Sequence, residues 1–306
     1  MEKEFEVPVN SVERYVKEVL SLGENLVVNA EKQEELLFRG QDDKDYLLLP
    51  AIAREFLKLE QERNFIEMVK YKFPSVFYAG MDPVDLLALL QHHGVPTRLL
   101  DITSNPLVAL FFACKNDDPK DGEVIVFKNN NYDVCNYPIA HAIADSYRFS
   151  QSTKTPLERF CSNVVSQPYY EEKRISMENM SVEERVSKIE ECCKKLIFVR
   201  AQERSSRQKL QQGQFILFPN RISPEGNNGK GNMCFEKAID AIPKDKEHIE
   251  KRFIISGSAK KEIKKKLKML GISKATLFAD NVDMVCEDLS ESLQLRYGEK
   301  SNRAEN

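Results

Sequence analysis

The sequence of 306 residues contains no apolar run near the roughly 18 residues that a membrane-spanning helix requires. Its first ten residues, MEKEFEVPVN, lack the apolar core of a signal peptide. The seven cysteines are scattered and form no CxxC pair, which favours reduced thiols over a zinc site. We therefore expect a cytoplasmic protein with no membrane contact and no bound metal.

A strong net charge is also absent. The 45 Lys and Arg residues nearly balance the 48 Asp and Glu residues, which leaves a net charge of -3. No global field therefore recruits nucleic acid or an anionic membrane, and any such binding has to be local. The lysine-rich segment 259–270 is more consistent with a solvated helix face than with a nucleic-acid patch.

The stretch from His92 to Ala113 joins polar side chains to the most apolar run in the sequence. Residues 107–113 would be apolar on every side of a helix, which is typical of a buried helix. Asn105 is a favourable N-cap and Pro106 suits the first helical position, so the helix should begin there. Residues 97–102 predict a short strand before it. Five polar residues precede the helix: His92, His93, Thr97, Arg98 and Asp101.

These polar side chains allow two interpretations. In one, Arg98 pairs with Asp101 and the histidines bond to backbone groups, because buried charges need partners whatever their purpose. In the other, the strand and the buried helix form a rigid floor, and the polar side chains at their junction face a cleft. Arginine, histidine and threonine together would suit an anionic ligand there.

Arg39 and Gly40 follow the apolar residues 36–38, which predict a short strand. An arginine at a strand end can bind phosphate through two parallel hydrogen bonds. A glycine beside it would let a ligand approach the backbone. The alternative is that Arg39 forms an ion pair with Asp42 or Asp43.

We expect Arg39 and Arg98 to converge on one pocket. Each stands beside a strongly apolar strand, where an arginine without a partner would cost several kcal/mol of desolvation. A single bound anion would serve both guanidinium groups.

We expect one α+β domain with a central mixed or antiparallel sheet, a buried helix and flanking helices. Helical patterns cover residues 11–20, 51–73, 83–90 and 259–270, and Ser181 with Glu184 forms a capping box for a further helix. Besides the strands at 36–38 and 97–102, strands are predicted at residues 46–50, 122–127, 213–219, 252–256 and 275–279. Residues 1–35 would hold an N-terminal flanking helix, 36–298 the domain with a helical insertion at about 129–205, and 299–306 a disordered tail.

The sequence resembles the FRG-domain family, which is named for the triplet found here as Phe38-Arg39-Gly40. A longer signature carries the resemblance: His92, Gly94, Pro96-Thr97-Arg98-Leu99-Leu100-Asp101, Asn105-Pro106 and Ala109-Leu110-Phe111-Phe112-Ala113. Later segments of the family are similar to Gln212-Gly213-Gln214-Phe215, Gly271-Ile272 and Thr276-Leu277-Phe278. Ile102 stands where many members carry tryptophan, a residue that this sequence lacks entirely.

The order of these segments is also similar, more distantly, to that of ADP-ribosyltransferases. This resemblance implies an ADP-ribosyltransferase-like fold, with NAD as the substrate. It places Arg39, beside Gly40, on the pyrophosphate of NAD. It places Thr97 or Thr103 at the nicotinamide ribose.

The same resemblance places Gln211 and Gln212 where a transferase carries its catalytic glutamate. A glutamine can orient a ribose hydroxyl but cannot act as a carboxylate base. His92 or Asp101 would then substitute, and together with Gln212 they are the candidate catalytic residues. ADP-ribosyl transfer passes through an oxocarbenium-like state, which needs a nearby anion or hydrogen-bond acceptor in a dry pocket.

Two functions of different classes remain open. One is an NAD-using effector, a transferase or glycohydrolase of bacterial toxin or antiphage type, with a protein or nucleic-acid target and a partner protein from a defence or toxin-antitoxin system. The other is a non-catalytic module in which Arg39, His92 and Arg98 recognise the phosphate of a nucleotide or nucleic acid. Hydrolysis of NAD would discriminate between them.

Overall fold

The computed structural model describes residues 5–27, 34–78, 80–116, 118–129, 138–148, 154–165, 167, 179–203, 206–225 and 232–290. Within these residues the chain is an α+β protein built on a mixed seven-stranded sheet with several helices, which confirms the predicted α+β class and central mixed sheet. The strands are β1 (Glu6–Val9), β2 (Glu35–Gln41), β3 (Leu99–Thr103), β4 (Gly122–Asn129), β5 (Lys154–Pro156), β6 (Ile197–Val199), β7 (Gly213–Leu217), β8 (Ile222–Pro224), β9 (Met233–Glu236) and β10 (Lys251–Ile255).

The large sheet has the strand order β1-β10-β4-β2-β3-β7-β6, and β5, β9 and β8 form a small second sheet. In the large sheet β1 runs parallel to β10, and the other strand pairs are antiparallel. The helices are α1 (Val12–Val27), α2 (Phe56–Glu60), α3 (Glu62–Lys72), α4 (Pro83–His92), α5 (Pro106–Ala113), α6 (Pro138–Ala144), α7 (Leu157–Val165), α8 (Val182–Cys193), α9 (Ser206–Gln211), α10 (Lys260–Met269) and α11 (Lys274–Leu277). In the described ranges, no helix combines the length and the apolar character needed to cross a bilayer.

Helix α5 begins as its sequence predicts. The Asn105 side chain accepts hydrogen bonds from the backbone N–H groups of Leu107 at 3.0 Å and Val108 at 3.4 Å, and Pro106 is the first helical residue. These bonds satisfy two of the N–H groups that a helix start leaves without partners. The capping box of Ser181 and Glu184 is also present, at the start of α8.

Helix α5 packs on β2 through direct contact of the two backbones. A Cβ atom added to Gly40 would lie 1.8 Å from the carbonyl oxygen of Ala109 on α5. No side chain therefore fits at this position. Position 40 therefore requires glycine because the buried helix α5 lies so close to β2. The approach of a ligand is not needed to explain it.

Two groups of helices cover one face of the large sheet. Helices α1, α5 and α10 pack over β1, β10, β4 and β2, whereas α4, α6 and α7 pack over β3, β7 and β6. Phe38 lies directly opposite Thr103, and Leu99 is on the same side of β3 as Thr103 because side chains alternate along a strand. Phe38 belongs to the first core and Leu99 to the second, so the two cores meet at the junction of β2 and β3. A third apolar cluster fills the opposite face.

The junction of β2 and β3 is the weakest seam of the large sheet. The two strands share a single residue pair, Phe38 with Thr103. By contrast, β2 pairs with β4 from Glu35 to Gln41, and β3 pairs with β7 from Leu99 to Thr103. The sheet therefore consists of two well-paired halves, which are joined only by the pair Phe38 and Thr103. Beyond this pair, β2 and β3 diverge.

Two predicted strands are absent. Residues 46–50 form only an isolated bridge between Leu48 and Ile242. In the range 275–279, α11 forms instead, because the Ser273 hydroxyl accepts a hydrogen bond from the backbone N–H of Thr276 and caps a short helix. The range 129–205 contains α6, α7 and α8, but it also contains β5 and β6, and β6 pairs with β7 in the large sheet. The predicted disordered tail, residues 299–306, lies outside the described residues.

Asp145, which follows α6, is a buried carboxylate whose titration we expect to affect stability. Burial raises its pKa from 3.8 to about 6, although Arg148 and Lys70 oppose the shift. The contribution of Asp145 to stability is therefore fully present below the pKa that this carboxyl has in the unfolded chain. It is lost as the pH rises through the higher pKa that the carboxyl has in the folded protein. Relative to the wild type, Asp145→Asn should gain about 2.5 kcal/mol of unfolding free energy between pH 4 and pH 8. Denaturant titrations at both pH values measure this gain, and an equal difference at the two values would contradict it.

Candidate functional site

A cleft opens where β2 and β3 diverge. Its cavity volume is about 210 Å³, and it opens to solvent. Its walls come from β2, α4, β3, α5, α9 and β7. The polar residues that line it are Arg39, Gln91, His92, Asp101, Thr103, Arg207, Gln208 and Gln211. Apolar walls are supplied by Phe38, Ala88, Ile102, Val108, Ala109, Phe112 and Phe215, and the backbone of Gly40 also lies at the cleft.

Arg39 connects the two diverging strands. Its Nη1 donates to the carbonyl oxygen of Asp101 at 2.6 Å, and its Nε donates to Gln41 Oε1 at 3.2 Å. Removal from water lowers the pKa of Arg39 to about 10, so the group remains charged at neutral pH. These two bonds fix the guanidinium plane, since a planar group held at two of its nitrogens cannot rotate freely.

The ion pairs of Arg39 with Asp42 or Asp43 do not form. Asp43 pairs with Lys120 at 2.5 Å, and Asp42 accepts a hydrogen bond from Asn116. Asp101 opposes the fall in the pKa of Arg39 through its charge, but the hydrogen bond goes to its backbone oxygen. Among the described residues, no carboxylate group thus forms a hydrogen bond or ion pair with the Arg39 side chain.

Asp101 is the only carboxylate among the described residues that line the cleft. Its Oδ1 accepts a hydrogen bond from Gln91 Nε2 at 2.8 Å, and Gln91 Oε1 accepts from the Thr97 hydroxyl at 2.5 Å. Thr97 is buried and does not line the cleft. The structure thus places Thr97 behind the cleft, where its hydroxyl fixes the orientation of Gln91, which holds Asp101.

His92, the last residue of α4, lines the cleft. Its ring packs edge-on against that of His93, with ring centroids 5.1 Å apart. Burial, together with the nearby His93, lowers the pKa of His92 below its usual 6.5. The lowered pKa favours the neutral imidazole, which can donate or accept a hydrogen bond but supplies no positive charge.

Thr103 and Gln211 line the cleft, and Gln212 does not. The Thr103 hydroxyl donates to the carbonyl oxygen of Gln211 at 2.6 Å, which joins β3 to the end of α9. Gln212 adopts a positive φ of 47° at the turn into β7, and its exposed side chain reaches the Ser104 hydroxyl at 3.4 Å. Of the two neighbouring glutamines, Gln211 therefore lies at the cleft, and Gln212 lies at the exposed turn.

Arg98 does not share the cleft with Arg39, so the predicted convergence is wrong. Its side chain is 1% exposed and forms an ion pair with Glu62, in which Nε donates to Oε1 at 2.9 Å and Nη2 donates to Oε2. Nη1 donates to Asn220 Oδ1 at 3.0 Å. Arg98 also does not pair with Asp101, the other interpretation of this motif. It is a structural residue, and no anion is needed to neutralise it.

Arg207 is a second cation of the cleft that the sequence interpretation missed. Its guanidinium lies over the ring of Phe278 at 4.8 Å from the centroid. Phe278 in turn packs edge-on against Phe112, which lines the cleft. Gln91 was also missed, although it directly precedes the histidine pair. Neither residue stands out in the sequence, because both positions are also ordinary for the exposed face of a helix.

The arrangement suits an organic anion with an aromatic part. Two arginines can bind phosphate groups, and the rings of Phe38, Phe112 and Phe215 offer apolar surface for a base. Asp101 can stabilise a cation that forms during a reaction. In the described ranges, no three His, Cys, Asp or Glu residues cluster in a way that could hold a metal ion.

Comparisons with known proteins support one family. Residues 34–122 match the family model of the FRG domain. The matched range runs from the residue before β2 to the start of β4 and includes Arg39, His92 and Asp101, so it confirms the resemblance carried by the sequence motifs. Neither the curated proteins nor the solved structures contain a match to this chain.

Proposed function

We propose that the cleft binds NAD and that the protein is an ADP-ribosyltransferase-like enzyme, which breaks the bond between nicotinamide and ribose. The single observation that carries the proposal is Arg39, which is fixed by two hydrogen bonds in an open cleft and has no carboxylate partner among the described residues. A charged, oriented guanidinium of this kind is the group that binds a pyrophosphate through parallel hydrogen bonds. The match of residues 34–122 to the FRG domain covers this part of the site.

Cleavage of the bond between nicotinamide and ribose requires few groups beyond the residues that line the cleft. When the glycosidic bond breaks, nicotinamide leaves with the bonding electrons and the ribose carbon becomes oxocarbenium-like. The Asp101 carboxylate would stabilise that positive charge, and Gln91 would hold the carboxylate in place. Neutral His92 and Gln211 would hydrogen-bond the ribose hydroxyl groups. Water or a nucleophile of the target would then attack the ribose carbon.

A non-catalytic recognition module is the second candidate. It is favoured by the shortage of acids at the site: Asp101 is the only carboxylate among the described residues that line the cleft, and it is already bonded to Gln91. Such a module would use Arg39, Arg207 and His92 to bind a nucleotide phosphate without turnover. Arg98, which the sequence interpretation assigned to this role, is fully engaged with Glu62.

The test of binding replaces Arg39 by lysine. Lysine keeps the charge but loses the planar fork, so calorimetric titration of ADP-ribose or NAD should show binding weakened by about 1–3 kcal/mol. Arg221→Lys is the control, because Arg221 pairs with Asp240 at the surface and does not line the cleft. No binding of either ligand by the wild type would refute the proposal.

The test of turnover measures nicotinamide release from NAD. The wild type should release nicotinamide, and Asp101→Asn should reduce the rate by at least about 100-fold while ADP-ribose still binds. Binding without release by the wild type would favour the recognition module. Release that is unchanged in Asp101→Asn would remove Asp101 from the catalytic role.

The wider setting is part of the same proposal. An enzyme of this kind would act in the cytoplasm on a protein or nucleic-acid target. It would be controlled by a partner protein, as expected for a toxin-antitoxin or antiphage system. Identifying the labelled product after incubation of the protein with radiolabelled NAD and a cell extract would name the target.

A further inference from the structure

Gln41 is held in one orientation by three hydrogen bonds. Its Nε2 donates to the carbonyl oxygen of Tyr46 at 3.1 Å and to Glu123 Oε1 at 3.0 Å, and its Oε1 accepts from Arg39 Nε at 3.2 Å. The amide cannot be flipped. A flipped amide would place its oxygen against two acceptors and its NH₂ group against the N–H of Arg39.

Glu123, the anchor of this arrangement, is completely buried on β4, directly opposite Gln41 of β2. Its Oε2 accepts from Arg252 Nε at 3.0 Å and Nη2 at 2.8 Å, and its Oε1 also accepts from Lys244 Nζ. Two cations therefore fix the carboxylate, which in turn fixes the amide. A series of hydrogen bonds thus runs from Glu123 on β4 through Gln41 on β2 to Arg39 at the edge of the cleft.

We propose that Gln41 is a positioning residue for the ligand-binding cleft, which fixes the guanidinium plane of Arg39 through its Nε so that the remaining N–H groups meet the pyrophosphate of the ligand. The inference rests on the proposed function, because it assumes that Arg39 binds the ligand. Arg39 lies beside the seam at which β2 and β3 diverge, where no continuous ladder fixes its position relative to β3. The bond to Gln41 ties the guanidinium to the β4 side of this seam, and the bond to the Asp101 carbonyl ties it to β3.

The chain contains a matched control. Gln214 accepts from Arg200 Nε at 3.2 Å through Oε1 and donates to Glu35 Oε1 at 3.0 Å through Nε2. This is the same order of arginine, glutamine and glutamate, but neither Gln214 nor Arg200 lines the cleft. Replacing each glutamine by methionine removes its bonds to the arginine and to the glutamate with little change of volume, so Gln214→Met controls for the loss of such a link away from the cleft.

The experiment is a titration of ADP-ribose into the full-length protein. Gln41→Met should bind about tenfold more weakly than the wild type, as expected for the loss of one orienting charge-assisted hydrogen bond, and Gln214→Met should bind as the wild type does. The effect should also depend on the fork of Arg39. In the Arg39→Lys background, where no Nε–H exists, Gln41→Met should weaken binding less than about twofold.

Several results would overturn the inference. Wild-type affinity in Gln41→Met would do so, and so would an equal weakening by Gln41→Met in both backgrounds, because a general structural effect does not depend on the Arg39 fork. Should Gln41→Met fail to fold by circular dichroism, Gln41→Asn, which keeps the amide but withdraws it by one methylene, is titrated in its place.

A second readout separates this inference from the proposed function. If the wild type binds no ADP-ribose, the proposed function fails. Solvent exchange of the Arg39 Nε–H, followed by NMR in the free protein, still decides the role of Gln41. Protection in the wild type that is lost in the Gln41 variant supports the role, and equal exchange in both proteins overturns it.

Discussion

Replacing Gly40 by alanine is expected to destabilise the protein by at least about 3 kcal/mol, because the new methyl group would overlap a backbone atom. The added Cβ would lie 1.8 Å from the carbonyl oxygen of Ala109 and 2.8 Å from the backbone nitrogen of Ala113. Neither atom can rotate away, so α5 would have to move off β2. Denaturant titration followed by circular dichroism measures the change in unfolding free energy.

Gly23→Ala is the matched control for this prediction. Gly23 lies inside α1, and a Cβ atom there would meet nothing within 4 Å. Alanine should raise the stability by about 0.5–1 kcal/mol at this helical position. If Gly40→Ala were as stable as the wild type, the close packing of α5 on β2 would be wrong. The approach of a ligand would then be the better explanation for glycine at this position.

Replacing Arg98 by methionine is expected to cost about 3–5 kcal/mol of unfolding free energy, because Glu62 would be left buried without its cation. Both side chains are at most 5% exposed, and Asn220 would lose a charged donor as well. The double variant Arg98→Met/Glu62→Met should recover most of the loss, since it removes both charges from the interior. Denaturant titrations of the single and double variants test the pair directly.

Arg39→Met supplies the complementary measurement. Its two hydrogen bonds are worth about 1 kcal/mol each, so the loss of stability should be smaller than for Arg98→Met, whereas binding of ADP-ribose should be abolished. Arg98→Met at a temperature where it remains folded should bind ADP-ribose as the wild type does. The opposite outcome, in which Arg98→Met is stable and fails to bind, would contradict the division of roles between the two arginines.

Features that depend on neighbouring residues were predictable from the sequence. The start of α5 follows from Asn105 and Pro106, because capping is decided within a few residues of the chain. The strand that carries Arg39 was also predictable, because an apolar run marks it. The motif-bearing range that matches the FRG domain contains both elements.

The partners of the charged residues were not predictable, because they depend on distant parts of the chain. Arg98 pairs with Glu62, which is 36 residues away, and bonds with Asn220, which is 122 residues away. Nothing near Arg98 in the sequence distinguishes that pairing from an anion site shared with Arg39. The difference between the two arginines is therefore a property of the fold: one is enclosed with a carboxylate, and the other lies at the seam between β2 and β3.

The sequence could not show which of two neighbouring glutamines lines the cleft, because that depends on the local backbone conformation. Gln211 and Gln212 are adjacent, and only the left-handed backbone of Gln212 decides which of them lines the cleft. A residue other than glycine is uncommon in that conformation. A sequence pattern that points to a pair of neighbours cannot decide between them when the turn is of this kind.

The most direct test of the central claim is a crystal structure of the protein with ADP-ribose bound. We predict electron density for the ligand in the cleft between β2 and β3, with a pyrophosphate oxygen within hydrogen-bond distance of the Arg39 guanidinium and the ribose beside Asp101. The Arg39 bonds to Gln41 and to the Asp101 carbonyl should persist in the complex. Ligand density at another place on the surface, or an empty cleft at ligand concentrations that saturate binding in solution, would contradict the account.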